Sequence, residues 1–261
     1  MPVAPAFATL ALVALATLLP GIANAALPKS GGLLFVYEVR ARDSRLGVAR
    51  ITVGPKQTLG KRQVRAVTIV GNSEDLVGIL YAGSSNATTW VDSGWLPTEA
   101  HWKSTLGQKA SETEAVYGPH RVQATFARPG KPVYKVDQAT DRAPQDLVSF
   151  MPWLMQQKVK PGFRVTIPVY TGMDVCDIEA TARPVESVSV PLGKRLAIPV
   201  DIVFKRCRVS RSFTAWLDVG DFTPHRMTVP HPVLGNIDVQ LVSVQPFAAA
   251  PVYPVGPRKE K

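Results

Sequence analysis

The stretch Leu33-Leu34-Phe35-Val36-Tyr37-Glu38-Val39-Arg40 decides the class of fold. Its aromatic and branched residues recur with a period of two, so Phe35, Tyr37 and Val39 share one face of an extended, half-buried strand. The same alternation continues outward. Arg45–Val53 follows the polar link Arg42-Asp43-Ser44, and in Arg62–Val70 the residues Val64, Ala66 and Thr68 alternate with Arg65, Val67 and Ile69. Further strands are expected at Asn86–Asp92, Thr98–Ser104, Ala110–Tyr117, Arg121–Ala127 and Val133–Val136. The short breaks between them (Ser93-Gly94, Leu106-Gly107, Gly118-Pro119, Arg128-Pro129-Gly130) suit antiparallel hairpins. The last third repeats the pattern at Arg164–Tyr170, Val175–Ala182, Glu186–Val190, Arg195–Phe204, Arg211–Val219, His225–Val229 and Asn236–Val244.

Two segments break this rhythm. Ser73–Leu80 reads as a short helix capped by Ser73, with Glu74 and Asp75 in its first turn. Pro144–Gln157 carries the stronger helical signal, with Leu147, Phe150, Met151, Leu154 and Met155 on one face. Pro144 suits its first turn and Pro152 is expected to kink it. Many short strands with two helical insertions predict a mainly β fold: a curved antiparallel sheet forming a half-open or closed barrel. No internal repeat interrupts the single domain expected over residues 26–245.

Residues 1–25 read as a secretory signal. They hold no charged side chain, an apolar run from Phe7 to Leu19, and the small-residue end Ala23-Asn24-Ala25. The apolar run is shorter than a membrane-spanning helix requires, and Pro20-Gly21 interrupts it. No Cys follows it, so lipid attachment at that point is not expected. Residues 246–261, rich in Pro and Ala and ending in charges, read as a disordered tail. Export implies a periplasmic location. The formal charge of +10 then points to anionic lipid, lipopolysaccharide or cell-wall polymer as a counterpart, not nucleic acid. A hydrophobic content of 46% supports a folded chain.

No catalytic motif stands out. Of the four His (His101, His120, His225, His231), none has a second ligand at the spacing of a metal motif such as H-E-x-x-H, so neither metal nor cofactor is expected. No G-x-S-x-G elbow and no phosphate-cradling loop occurs, and Asp174 and Asp177 fall on opposite faces of an extended chain. A non-enzymatic role follows. Cys176 and Cys207 are more informative. If Leu192-Gly193 forms the turn between Val185–Val190 and Arg195–Phe204, Cys176 faces Val209. If the turn centres on Pro191-Leu192, Cys176 faces Cys207 itself. Either register predicts a disulfide in an oxidising compartment.

The order of these signatures resembles the bacterial exported family known as domain of unknown function 3108, a resemblance running from Phe35 to Leu241. It is carried by Tyr37-Glu38-Val39, Leu46-Gly47-Val48-Ala49, Leu76-Val77-Gly78-Ile79-Leu80-Tyr81, Trp90-Val91-Asp92 with Leu96-Pro97, Asp146-Leu147-Val148-Ser149, Pro161-Gly162, Val190-Pro191-Leu192-Gly193, and Trp216-Leu217-Asp218 before Pro224. The basic tract and the two Cys depart from that pattern. The resemblance implies a periplasmic β protein, similar in architecture to the half-barrels of lipoprotein carriers, and no reaction.

Two candidate surfaces remain. An apolar cavity, holding a hydrophobic ligand or a partner's segment, is expected along Leu147, Phe150, Met151, Leu154 and Met155, with Trp90 and Trp153. The tract Lys205, Arg206, Arg208 and Arg211 is a candidate contact for an anionic surface. The competing expectation is an envelope scaffold protein with a filled core that meets its partner through surface loops.

Overall fold

The computed structural model describes residues 31–42, 44–73, 83–106, 109–207, 212–232 and 234–247. The expected signal (residues 1–25), the body of the helix expected after Ser73 and residues 248–261 of the expected tail lie outside them, while Pro246 and Phe247, expected in that tail, end the last strand.

The strands are β1 (Gly32–Ala41), β2 (Ser44–Leu59), β3 (Arg62–Ser73), β4 (Gly83–Val91), β5 (Pro97–Leu106), β6 (Lys109–Gly118), β7 (Arg121–Ala127) and β8 (Tyr134–Ala139). A two-residue strand, β9 (Gln145–Asp146), precedes the helix α1 (Phe150–Gln156). There follow β10 (Arg164–Tyr170), β11 (Val175–Ala182), β12 (Glu186–Val190), β13 (Gly193–Lys205), β14 (Ser212–Asp218), β15 (Pro224–His231) and β16 (Gly235–Phe247). They form one sheet in the order 8-7-6-5-4-3-2-1-16-15-14-13-11-10-9, with β12 beside the first half of β13. Every pairing is antiparallel except β9 with β10.

Neighbours in sequence are neighbours in the sheet, so the chain meanders twice. β1 meets β16 in the middle, and the outermost strands, β8 and β9, are consecutive in the chain. Residues 140–144 cross from one to the other, which requires the sheet to curl until its two ends approach. Twist supplies part of that curl. Register shifts supply more, at Val36/Tyr37, Val39/Arg40, Val53/Lys56, Trp90/Val91 and Trp216/Leu217. Pro55 falls inside one of these irregularities, where no ladder donor is needed.

Among the described residues no backbone ladder joins β8 to β10; side chains close that seam. Tyr170 of β10 packs with Val122, Ala124 and Val136 of β7 and β8. The Arg142 guanidinium donates to the Thr166 carbonyl at 2.8 Å. Gly172, in a left-handed conformation (φ 101°), passes Trp102 so closely that an added Cβ would sit 3.4 Å from the indole.

The helix occupies the concave side. Phe150 and Leu154 pack with β10, β11, β13 and β14, while Met155 and Val148 pack with Phe35, Tyr37, Val53, Val67, Val91 and Leu241. It is shorter than its periodicity suggests. Pro144 lies ahead of β9, and residues 145–146 are paired with β10. Pro152 causes no break, because it stands in the first turn, where its missing N–H has no intrahelical acceptor. The first helical bond, Trp153 N to Ser149 O at 2.9 Å, follows it.

The disulfide is present: Cys176 and Cys207 are bonded, with Cα atoms 5.1 Å apart. The β12–β13 hairpin turns at Pro191-Leu192, with Val190 opposite Gly193. β11 is a separate strand whose register lies one residue off that hairpin, Asp177 facing Lys205, so Cys176 stands next to Cys207 without being its direct partner.

Candidate functional site

Cross-strand pairing lays the concave side chains out in tiers. The deepest runs Val53, Val67, Thr89, Ala100, Ala115, Ala124 and Val136, and all seven are buried. The next, two residues along each strand, begins with buried Phe35 and continues Ile51, Ile69, Ala87 and Trp102, each only half-buried. The third begins with buried Tyr37 and continues through half-buried Ala49, Gly71 and Ser85 to exposed Ser104. Burial therefore falls from the first tier to the third along β2 to β5, while β1 stays buried through Phe35 and Tyr37. On the facing wall Met227 and Val239, paired across β15 and β16, are likewise half-buried.

A hydrogen-bonded cluster holds the floor. Asp146 is fully buried; its Oδ1 accepts from the amides of Val148 (2.9 Å) and Ser149 (2.7 Å), and its Oδ2 from the Thr89 hydroxyl (2.8 Å). The Ser149 hydroxyl donates to Gln145 Oε1 at 2.7 Å, and Gln145 Nε2 donates to the Trp95 carbonyl at 3.3 Å. The Trp102 indole N–H reaches Thr89 Oγ1 at 3.3 Å. The segment Asp146-Leu147-Val148-Ser149 is thus the bracket that fixes α1 to the wall at β4 and β5. Burial raises the Asp146 carboxyl above its ordinary range despite these donors. Tyr117, buried beside it, is also pushed well up, first by burial and then by the Asp146 charge.

The expected cavity residues divide. Phe150, Leu154 and Met155 are buried in packed core. Met151 and Trp153 remain half-buried, Met151 against the β10 to β14 core and Trp153 also against the cluster that includes the second tier. Leu147 points away and is 41% exposed. Trp90 stands on the convex face, against Val64 and Ala66, because its neighbour Thr89 takes the concave position. Ile51, Ile69, Trp102 and Met227 line the second tier without having been expected there. Their strand parity was readable; the long-range register that aligns them was not.

Of the basic tract, Lys205 and Arg206 are described. Lys205 pairs with Glu179 at 2.6 Å, Arg206 with Asp177 at 3.1 Å, and Arg164 also reaches Glu179 at 2.7 Å. These cations hold Glu179 below its usual range, Lys205 first and Arg164 second. Arg208 and Arg211 lie outside the described residues. The convex face also bears a recess of about 280 Å³, between Leu59, Val64 and Val116 and edged by Arg62 and Glu99.

A curled antiparallel sheet whose edges approach without a joining ladder among the described residues, wrapped around the helix α1, defines a β-barrel-like protein. The chain belongs to the DUF3108 family, described as proteins of unknown function, and matches it over residues 36–242. Among solved structures it is similar to a β-barrel-like protein of domain of unknown function DUF1849 from Brucella abortus. That match has a TM-score of 0.57 at 12% identity and covers 85% of this chain and all of that one. A protein with a YmcC-like fold from Bacteroides fragilis aligns at a TM-score of 0.32 and 8% identity, over 84% of this chain and 98% of its own. No curated protein matches the sequence. The first likeness supports the fold alone.

Proposed function

We propose that this chain is an exported, periplasmic, non-enzymatic envelope protein that shelters a hydrophobic group, such as an acyl chain or an exported partner's apolar segment, in its half-buried concave tier. One observation carries the reading. Ile51, Ile69, Ala87 and Trp102 face inward yet stay only half-buried where they pack on the cluster that holds Val148 and Met155. Inward apolar surface that the core leaves partly exposed is what a lipid or peptide pocket offers its ligand. Export rests on the signal-like residues 1–25 and suits the disulfide. The floor cluster is committed to holding α1, which leaves it no evident chemistry to perform.

A second reading, a scaffold meeting a protein partner, draws on Leu196 (58% exposed), Val185 (45%) and Val219 (43%), apolar side chains at the ends of β12 to β14. Contact with anionic lipid or lipopolysaccharide through Lys205, Arg206, Arg208 and Arg211 is a lesser part of the proposal, since Asp177 and Glu179 already face two of these cations.

The discriminating experiment is mass spectrometry of organic extracts from protein purified from periplasm without detergent. A stoichiometric lipid or acyl species supports the shelter. An empty extract, together with a protein partner crosslinked through photoreactive residues at Leu196 or Val219, supports the scaffold instead.

A further inference from the structure

The convex face of β5 and β6 carries a second arrangement, independent of the concave tier. His101 of β5 stands directly opposite Glu114 of β6, and Glu112 is one diagonal step away, opposite Lys103. Alternation puts all four side chains on the outer face. One ligand atom each from His101, Glu112 and Glu114 fits within 4.8 Å of the others.

We propose that His101, Glu112 and Glu114 form a binding site for a divalent transition ion of the zinc type. One imidazole and two carboxylates make a borderline-hard donor set suited to such ions. Tetrahedral bonds of about 2.0–2.1 Å require ligand atoms about 3.3 Å apart. The present spacing therefore has to close by about 1.5 Å, within reach of glutamate side-chain rotations. His101 Nε2 and Glu112 Oε1 are hydrogen-bonded at 2.6 Å, a bond that an entering ion replaces as the two ligand atoms part to about 3.3 Å.

The charge distribution points the same way. Basic residues outnumber acidic ones in this chain by 30 to 20. Glu38, Asp137, Asp177, Glu179, Asp201 and Asp238 each hold an Arg or Lys. The Glu114 side chain has no ion pair or hydrogen bond among the described residues, so its carboxylate is available to an ion. Lys103 lies 3.2 Å from Glu112, and at 62% side-chain exposure it is free to swing into solvent when an ion enters. Three protein ligands on an open face leave at least one coordination position for water or a donor from another molecule. A search along either strand alone misses the site, because its ligands meet only across the ladder.

The test is calorimetric titration of tag-free, chelator-treated protein with zinc chloride, repeated on H101Q, E114Q and H120Q. These side chains face outward, and unchanged circular dichroism verifies each variant's fold. The expected result is one saturable equivalent in the wild type, weakened about tenfold or more in H101Q and E114Q and unchanged in H120Q. A wild type without saturable binding, a titration unaltered in either H101Q or E114Q, or an equal loss in H120Q overturns the site.

Discussion

At the scale of single residues, the carboxyl of Asp146 links the sheet to the helix. It has no cation beside it among the described residues and is kept by three donors, two amides and the Thr89 hydroxyl. Removing it in Asp146→Ala strands those donors in the interior and is expected to cost about 2–3 kcal/mol in urea denaturation. Its pH dependence has a definite sign. A carboxyl whose folded pKa is raised contributes stability that is fully present below its unfolded pKa and is lost as pH rises through the folded one. The deficit of Asp146→Asn relative to wild type should therefore grow as pH falls from 7 toward 4. A deficit that shrinks over this range contradicts the assignment. Little of this is legible in the sequence: Asp146-Leu147-Val148-Ser149 stands out only as one piece of the family resemblance, since its partner Thr89 lies 57 residues from Asp146.

At the scale of elements, period-two alternation located the strands, and Arg121–Ala127, Arg164–Tyr170, Val175–Ala182 and Glu186–Val190 have the bounds it implied, whereas β2 runs on to Leu59 past the expected Val53. Burial of one face against one core is what writes that pattern into a sequence. β9 was not legible, because two residues carry no period. The helix was read too long, because Leu147, in the turn after β9, falls in helical phase with Met151 and Leu154 of α1. The two Cys joined β11 to the end of β13 correctly, although β12 makes the hairpin and β11 follows its own register. Their bond closes a separation of 31 residues, which in the chain-entropy account stabilises by roughly 3–4 kcal/mol. The double variant Cys176→Ser/Cys207→Ser should lose about that much in chemical denaturation. A loss below about 1 kcal/mol would show that the unfolded chain is not the state the bond constrains.

At the scale of the whole molecule, curvature follows from connectivity: a chain whose outermost strands are consecutive must bring the edges of its sheet together. The class of fold was readable from alternation and hairpin spacing, but the order of strands around β1 and β16 was not, because pairing between the first and last strands leaves no local trace. The second tier depends on that order, which is why Ile51, Ile69, Ala87 and Trp102 become one surface only in three dimensions. A bulky side chain at Ala87 fills that surface from the wall, directly opposite Trp102. The most direct test is a titration of delipidated wild type and Ala87→Trp with a fluorescent acyl-chain probe. The shelter predicts saturable one-to-one binding by the wild type and affinity about tenfold or more weaker in Ala87→Trp. Equal affinities in the two proteins, or no saturable binding in either, would contradict it.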